Sequence, residues 1–216
     1  MKKKRLWLTS GAIAGLLLVT LAGGRLVSVH GDSTPTASAL SVPTKVKTSA
    51  QTATVDKLSG TVKNAKVTYR QAGQTGNTAT FNKTTSSTDA KAAAKIGAQD
   101  HSGETVKLKD GTQAKEQGVM GHIYVTWKKG NWSVTTVTDT TQTLRTAPTT
   151  LASQVDNQLK QQQITNQKVD KGAVTVYSTA QEVPANQITW QNNKQVSSVK
   201  TQQANTAYAI AKSVLN

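Results

Sequence analysis

The sequence predicts an α+β domain: an antiparallel sheet of short hairpins with helices packed on one face, behind an N-terminal apolar export or anchor helix and a disordered tether. Three observations lead there. Met1-Lys2-Lys3-Lys4-Arg5 is followed by no further charge until Arg25. After Leu58, short runs of alternating apolar and polar residues recur between Gly- and Asn-containing turns. Around Leu151–Leu159 and Gln203–Leu215, apolar residues instead repeat at helical spacing.

The leader, residues 1–24, comes first. Leu6 to Gly24 is an uncharged stretch of 19 residues, a rise of about 28 Å as helix against a hydrocarbon core of about 30 Å. Thr9, Ser10 and Thr20 are polar and four glycines weaken the helix, while Ile13–Leu21 has the length of a signal-peptide apolar region. A cleaved signal peptide, cut after Gly24 or Gly31, and an uncleaved membrane anchor both fit. In either case the basic cluster ahead of the apolar run keeps the N-terminus cytoplasmic and sends the rest outward.

Residues 25–57 are rich in Ser, Thr, Ala and Pro, with Pro35 and Pro43 and no sustained period, and are expected to form a disordered tether. The domain proper is expected over 58–216. Strands are expected at Val62–Tyr69 and Thr78–Phe81, joined by a turn through Gly73-Gln74-Thr75-Gly76-Asn77. Asp89–Ala98 is a short Ala/Lys helix capped by Thr88 or Asp89, and Val106–Leu108 a short edge strand.

His122-Ile-Tyr-Val-Thr-Trp127 and Trp132-Ser-Val-Thr-Thr-Val137 flank Lys128-Lys129-Gly130-Asn131 and form the clearest hairpin. The expected register sets Trp127 against Trp132, Val125 against Val134 and Ile123 against Thr136 on one buried face. Tyr124, Thr126, Ser133 and Thr135 then form a wet face. A helix opening at Pro148 carries Leu151, Val155 and Leu159. Asp170-Lys171-Gly172 is expected as a turn before a strand at Val174–Tyr177. A second hairpin turns at Asn193-Lys194, with Trp190 against Ser197 and Ile188 against Val199, and an amphipathic helix closes the chain.

Charge narrows the partners. The chain carries +15, and removing the five basic residues ahead of Asp32 leaves +10 on the remainder. A basic exported domain favours polyanionic neighbours. Outside a bacterial membrane these are teichoic acids of the wall and anionic lipid head groups; nucleic acid is not an expected partner. The cell membrane itself is a partner through the N-terminal helix if that helix is uncleaved. The absence of cysteine excludes disulfides, zinc–thiolate sites and thiol nucleophiles, and suits a Gram-positive envelope protein.

No Gly-x-Ser-x-Gly elbow, P-loop, zinc-protease or EF-hand pattern is present, so no catalytic residue, metal or cofactor is assigned. Asp100, His101 and Glu104 form the one acid–histidine cluster, the basis for the alternative of a wall-polymer hydrolase. Tyr124, Lys128, Lys129 and Lys200 are the candidate polyanion-binding residues, a basic face edged by an aromatic ring.

Trp127-x-x-Gly-Asn-Trp-Ser-Val134, a helix, then Ile188-Thr-Trp-Gln, Lys194-x-Val and an Ala-rich closing helix resemble a family of exported lipoprotein-like proteins of lactobacilli, best over 119–216. The resemblance implies an exported α+β protein and brings no assigned activity. Members carry a lipobox; here Leu21-Ala22-Gly23-Gly24 has glycine in place of the lipid-bearing cysteine, which removes thioether lipidation. Ser197 stands where an aromatic residue is expected. The function expected from all of this is a non-enzymatic, exported cell-envelope protein with a binding role at the outer membrane face or the wall.

Overall fold

The computed structural model describes residues 35–48, 52–96, 101–142, 147–178 and 185–216, and the backbone of 17–21 and 25–29. In that N-terminal part, β1 (Leu17–Leu21) and β2 (Arg25–Val29) pair with each other in a separate two-stranded sheet. The basic cluster and the apolar residues before Leu17 lie outside the described residues, so the expected export helix is not described as a whole. No helix among the described residues is long and apolar enough to cross a membrane.

The domain is a mixed, mostly antiparallel sheet of eleven strands with three α-helices. In chain order these are β3 (Lys45–Lys47), β4 (Thr52–Gly60), β5 (Ala65–Gln71), β6 (Asn77–Thr85), α1 (Asp89–Ile96), β7 (Glu104–Lys107), β8 (Gln113–Val119), β9 (His122–Lys129) and β10 (Trp132–Asp139). Then follow a 3-10 turn (Thr140–Gln142), α2 (Pro148–Gln161), β11 (Lys171–Tyr177), β12 (Asn186–Asn192), β13 (Gln195–Thr201) and α3 (Ala204–Leu215). The sheet runs β3-β4-β5-β6-β13-β12-β11-β10-β9-β8-β7. Its two halves meet at the β6–β13 pair, where Phe81 lies opposite Val199.

Several expectations hold. The β5–β6 and β12–β13 hairpins form, the latter with Trp190 opposite Ser197 and Ile188 opposite Val199. Thr88 caps α1, its hydroxyl accepting from the Lys91 N–H at 3.2 Å. β7 is an edge strand. α2 opens on Pro148 and buries Val155 and Leu159.

Six details differ. Of the tether expected over 25–57, residues 35–48 and 52–57 are folded: Ala37, Leu40, Val42 and Val46 are buried, and Thr52 opens β4. One helical turn, closed by the Val42 N–H to Ala37 O bond and by Ser41 at φ 56°, lets both Leu40 and Val42 point inward. That break in period hides the segment in the sequence. The Tyr69 hydroxyl donates to Pro43 O at 2.9 Å and the Ser213 hydroxyl to Ser41 O at 2.8 Å, tying the segment to β5 and α3.

The register of the first hairpin is also different. Gly130-Asn131 is the turn, Lys129 pairs with Trp132, and Trp127 pairs with Val134 rather than Trp132. Gly130 at φ 57° occupies the first central position, where a primed turn requires glycine. The shift is two residues, so the side chains named in the expected register keep their faces.

Gly172 lies inside β11 rather than in a turn, and a Cβ there would sit 2.3 Å from Trp132 Cε3; the indole packs on the bare backbone. β11 runs parallel to β10, with α2 as the crossover, so the sheet is not wholly antiparallel. The helices do not share one face. α2 and α3 cover the face bearing Trp127, Trp132, Val134, Val174, Ile188 and Val199, whereas α1 packs Ala92 and Ile96 on Ala173 and Val196 of the other. Thr126 and Thr135, expected wet, are buried there with their hydroxyls 3.2 Å apart.

Candidate basic sheet face

Cross-strand partners share a face, so the registers define rows of side chains across the sheet. On the face opposite the tryptophans one row crosses ten strands: Thr105, Lys115, Thr126, Thr135, Thr175, Gln187, Lys200, Thr80, Thr68 and Lys57. At about 4.8 Å per strand it spans roughly 43 Å before twist. A second row carries Lys128, Ser133, Ala173, Thr189, Ser198, Asn82, Lys66 and Ser59. A third carries Gln117, Tyr124, Val137 and Tyr177.

The three rows hold five lysines and no carboxylate, and Lys57, Lys66, Lys128 and Lys200 are exposed. Alternation explains this arrangement. The sequence puts Thr, Ser, Gln and Lys at every second position of the strands, and branched threonines suit a pleated surface.

Of the four predicted residues, Tyr124, Lys128 and Lys200 lie on this face. Lys200 is four strands from Lys128, about 19 Å away, so they belong to an extended surface rather than to one pocket. The His122 and Tyr124 rings meet edge-on at 6.4 Å.

Lys129 is on the other face. Its Nζ lies 3.7 Å from Asp156 Oδ1 and 3.9 Å from Asp110 Oδ2. Asp156, buried on α2, accepts the Trp127 indole N–H at 3.0 Å and the Lys160 ammonium at 2.6 Å, and Lys160 also bonds Asp110. Lys160, with the backbone and hydroxyl of Thr112, holds the Asp110 carboxyl well below the usual carboxylate range. Asp110, with Asp156, raises the Lys160 ammonium in turn. Two carboxylates against two ammoniums leave this cluster neutral. It fastens α2 and the β7–β8 turn to the sheet.

A cleft of about 330 Å³ opens where the β9–β10 turn meets β11, lined by His101, Lys128, Ser133, Lys171 and the backbone around Gly130 and Gly172. Within it His101 Nε2 and the Ser133 hydroxyl are 3.0 Å apart. Of the expected acid–histidine cluster, Asp100 lies outside the described residues and Glu104 is exposed on the edge strand opposite Glu116. Sequence reasoning missed Ser133 as the partner of His101 and Lys171 as a neighbour in the same cleft, because a loop residue and two strands distant in the chain meet only through the fold. Among the described residues no group of three His, Cys, Asp or Glu side chains could hold a metal ion.

Compared with protein-family models, curated proteins and solved structures, the chain matches none.

Proposed function

We propose that the chain is an exported, non-enzymatic cell-envelope protein that binds an anionic wall polymer of the teichoic-acid class on the basic face of its sheet. The single observation that carries this reading is the composition of that face: three adjoining rows with five lysines, six threonines in one row and no carboxylate. A surface tens of ångströms long, whose charged side chains in these three rows are all lysines, suits a repeating polyanion better than a small molecule, since each exposed cation adds a modest, screened attraction and only a polymer collects many of them. The leader's basic cluster and apolar run support export, with the membrane as a further partner where the leader is retained.

The test is co-sedimentation of the full-length protein with purified cell walls before and after teichoic-acid removal, at about 0.05 and 0.5 M salt. Binding that depends on the polymer and falls with salt is expected, because screening shortens from about 14 Å to about 4 Å over that range. Binding indifferent to both would overturn the reading.

The wall-polymer hydrolase remains the second reading, and the His101–Ser133 hydrogen bond is the observation that favours it. It places a hydroxyl nucleophile beside a base, the minimum that covalent catalysis needs. Release of polymer fragments by the wild-type protein but not by Ser133→Ala would establish it in place of the binding role.

A further inference from the structure

We infer that the cleft at the β9–β10 turn is a phosphodiester subsite, the one place on the basic face where a single phosphate of the polymer is held by several donors at once. The inference rests on the polymer-binding reading and deepens it. Lys128 and Lys171 bring two ammonium groups to the cleft from different strands, and Ser133 and His101 add a hydroxyl and an imidazole 3.0 Å apart. No carboxylate is among its lining residues. Lys171 Nζ also touches Ala93 O at 3.4 Å, which places this ammonium against α1 at the rim rather than out in solvent.

Elsewhere on the face the lysines line no such cleft: Lys200 has Gln187 and Thr80 beside it, and Lys57 and Lys66, diagonal neighbours across β4 and β5, have only Thr68, Ser59 and Asn82 as cross-strand partners. Convergent donors from several elements bind one tetrahedral anion, whereas isolated ammoniums act as point charges. A volume near 330 Å³ is at the small end for ligand sites, enough for a phosphate and its adjoining polyol unit.

The test is fluorescence anisotropy of the full-length protein with labelled poly(glycerol phosphate), with inorganic phosphate as competitor. Lys128→Gln with Lys171→Gln is compared with Lys57→Gln with Lys66→Gln, which removes the same charge from the same face. Lys128→Gln alone, an exposed position, provides the comparison if the first pair lowers the unfolding midpoint. The cleft pair is expected to weaken binding at least about tenfold, the worth of one charge-assisted hydrogen bond, and to abolish competition by phosphate. The control pair is expected to weaken it only as screening by salt does, with competition intact. Equal losses from both pairs would overturn the subsite and leave the polymer-binding face standing. No loss from either would overturn both. Tight binding to phosphatidylglycerol vesicles with none to the polymer would also overturn the subsite as stated.

Discussion

Trp132 and Gly172 make the sharpest test of the packing. Trp132 is 1% exposed, its indole N–H donates to Gln167 O at 3.3 Å, and its ring lies on Gly172, where a Cβ would meet Cε3, Cδ2 and Cζ3 at 2.3, 2.4 and 2.7 Å. Trp132→Ala removes a fully buried aromatic ring and is expected to destabilise by about 3–5 kcal/mol. For a domain of this size that lowers the unfolding midpoint by roughly 6–20 °C.

Gly172→Ala drives a methyl into a rigid ring and is expected to cost about 1–3 kcal/mol. The backbone at 172 is ordinary strand, so in the Trp132→Ala background the same methyl enters a cavity. There it is expected to stabilise by about 0.5–1 kcal/mol, chiefly through the unfolded chain. The two changes therefore couple by about 1.5–4 kcal/mol, readable in a urea-unfolding double-mutant cycle. Additivity within about 0.5 kcal/mol would show that the ring does not rest on Gly172. An unchanged midpoint for Trp132→Ala together with weaker polymer binding would make Trp132 a ligand surface instead.

Asp156→Ala leaves the Trp127 N–H and two ammoniums without their shared acceptor. The loss expected in urea unfolding is about 2–3 kcal/mol, below the value for a wholly buried pair because Lys129 and Lys160 are about a third exposed. Asp156→Asn, which keeps an acceptor for the indole, should lose less. The folded Asp110 carboxyl is depressed, so its contribution is full above the unfolded aspartate value of about 3.9 and disappears as pH falls below it. The unfolding midpoints of wild type and Asp110→Asn are therefore expected to converge on acidification, and a constant gap would refute the pairing. Burial raises the Tyr69 and Tyr208 hydroxyls. Their contribution is full below the unfolded tyrosine value of about 10 and is lost as pH rises, so the wild-type midpoint should fall above that pH by more than that of Tyr69→Phe.

Where a period ran uninterrupted, the sequence was readable. Ile188 to Val199 alternates cleanly around Asn193-Lys194, and both strands and their register follow from it. The same alternation bears on the candidate face: Lys128 and Lys129 are neighbours in one strand, so they point to opposite sides, and only one of them reaches the basic face. The segment from Ala37 to Val46 was illegible because one helical turn and a left-handed Ser41 gather its apolar residues without a period. The covering of Thr126 and Thr135 was illegible for another reason: polar side chains that satisfy each other across two strands carry no apolar signal. Gly172 reads as a turn beside Asp170 and Lys171, and only the ring of Trp132 above it shows why glycine stands there.

The seam between β6 and β13 has a consequence for the order of events in folding. Phe81 waits for Val199, so the β3–β6 half of the sheet keeps an open edge until the last strand of the chain arrives. α3, which packs on β12, β13, β3 and β6, comes later still. Closing so long a loop is slow, because the entropy of bringing the ends together must be met before the pairing rewards it. A chain built in this way leaves the β6 edge unpaired until Gln195–Thr201 are available to fold against it.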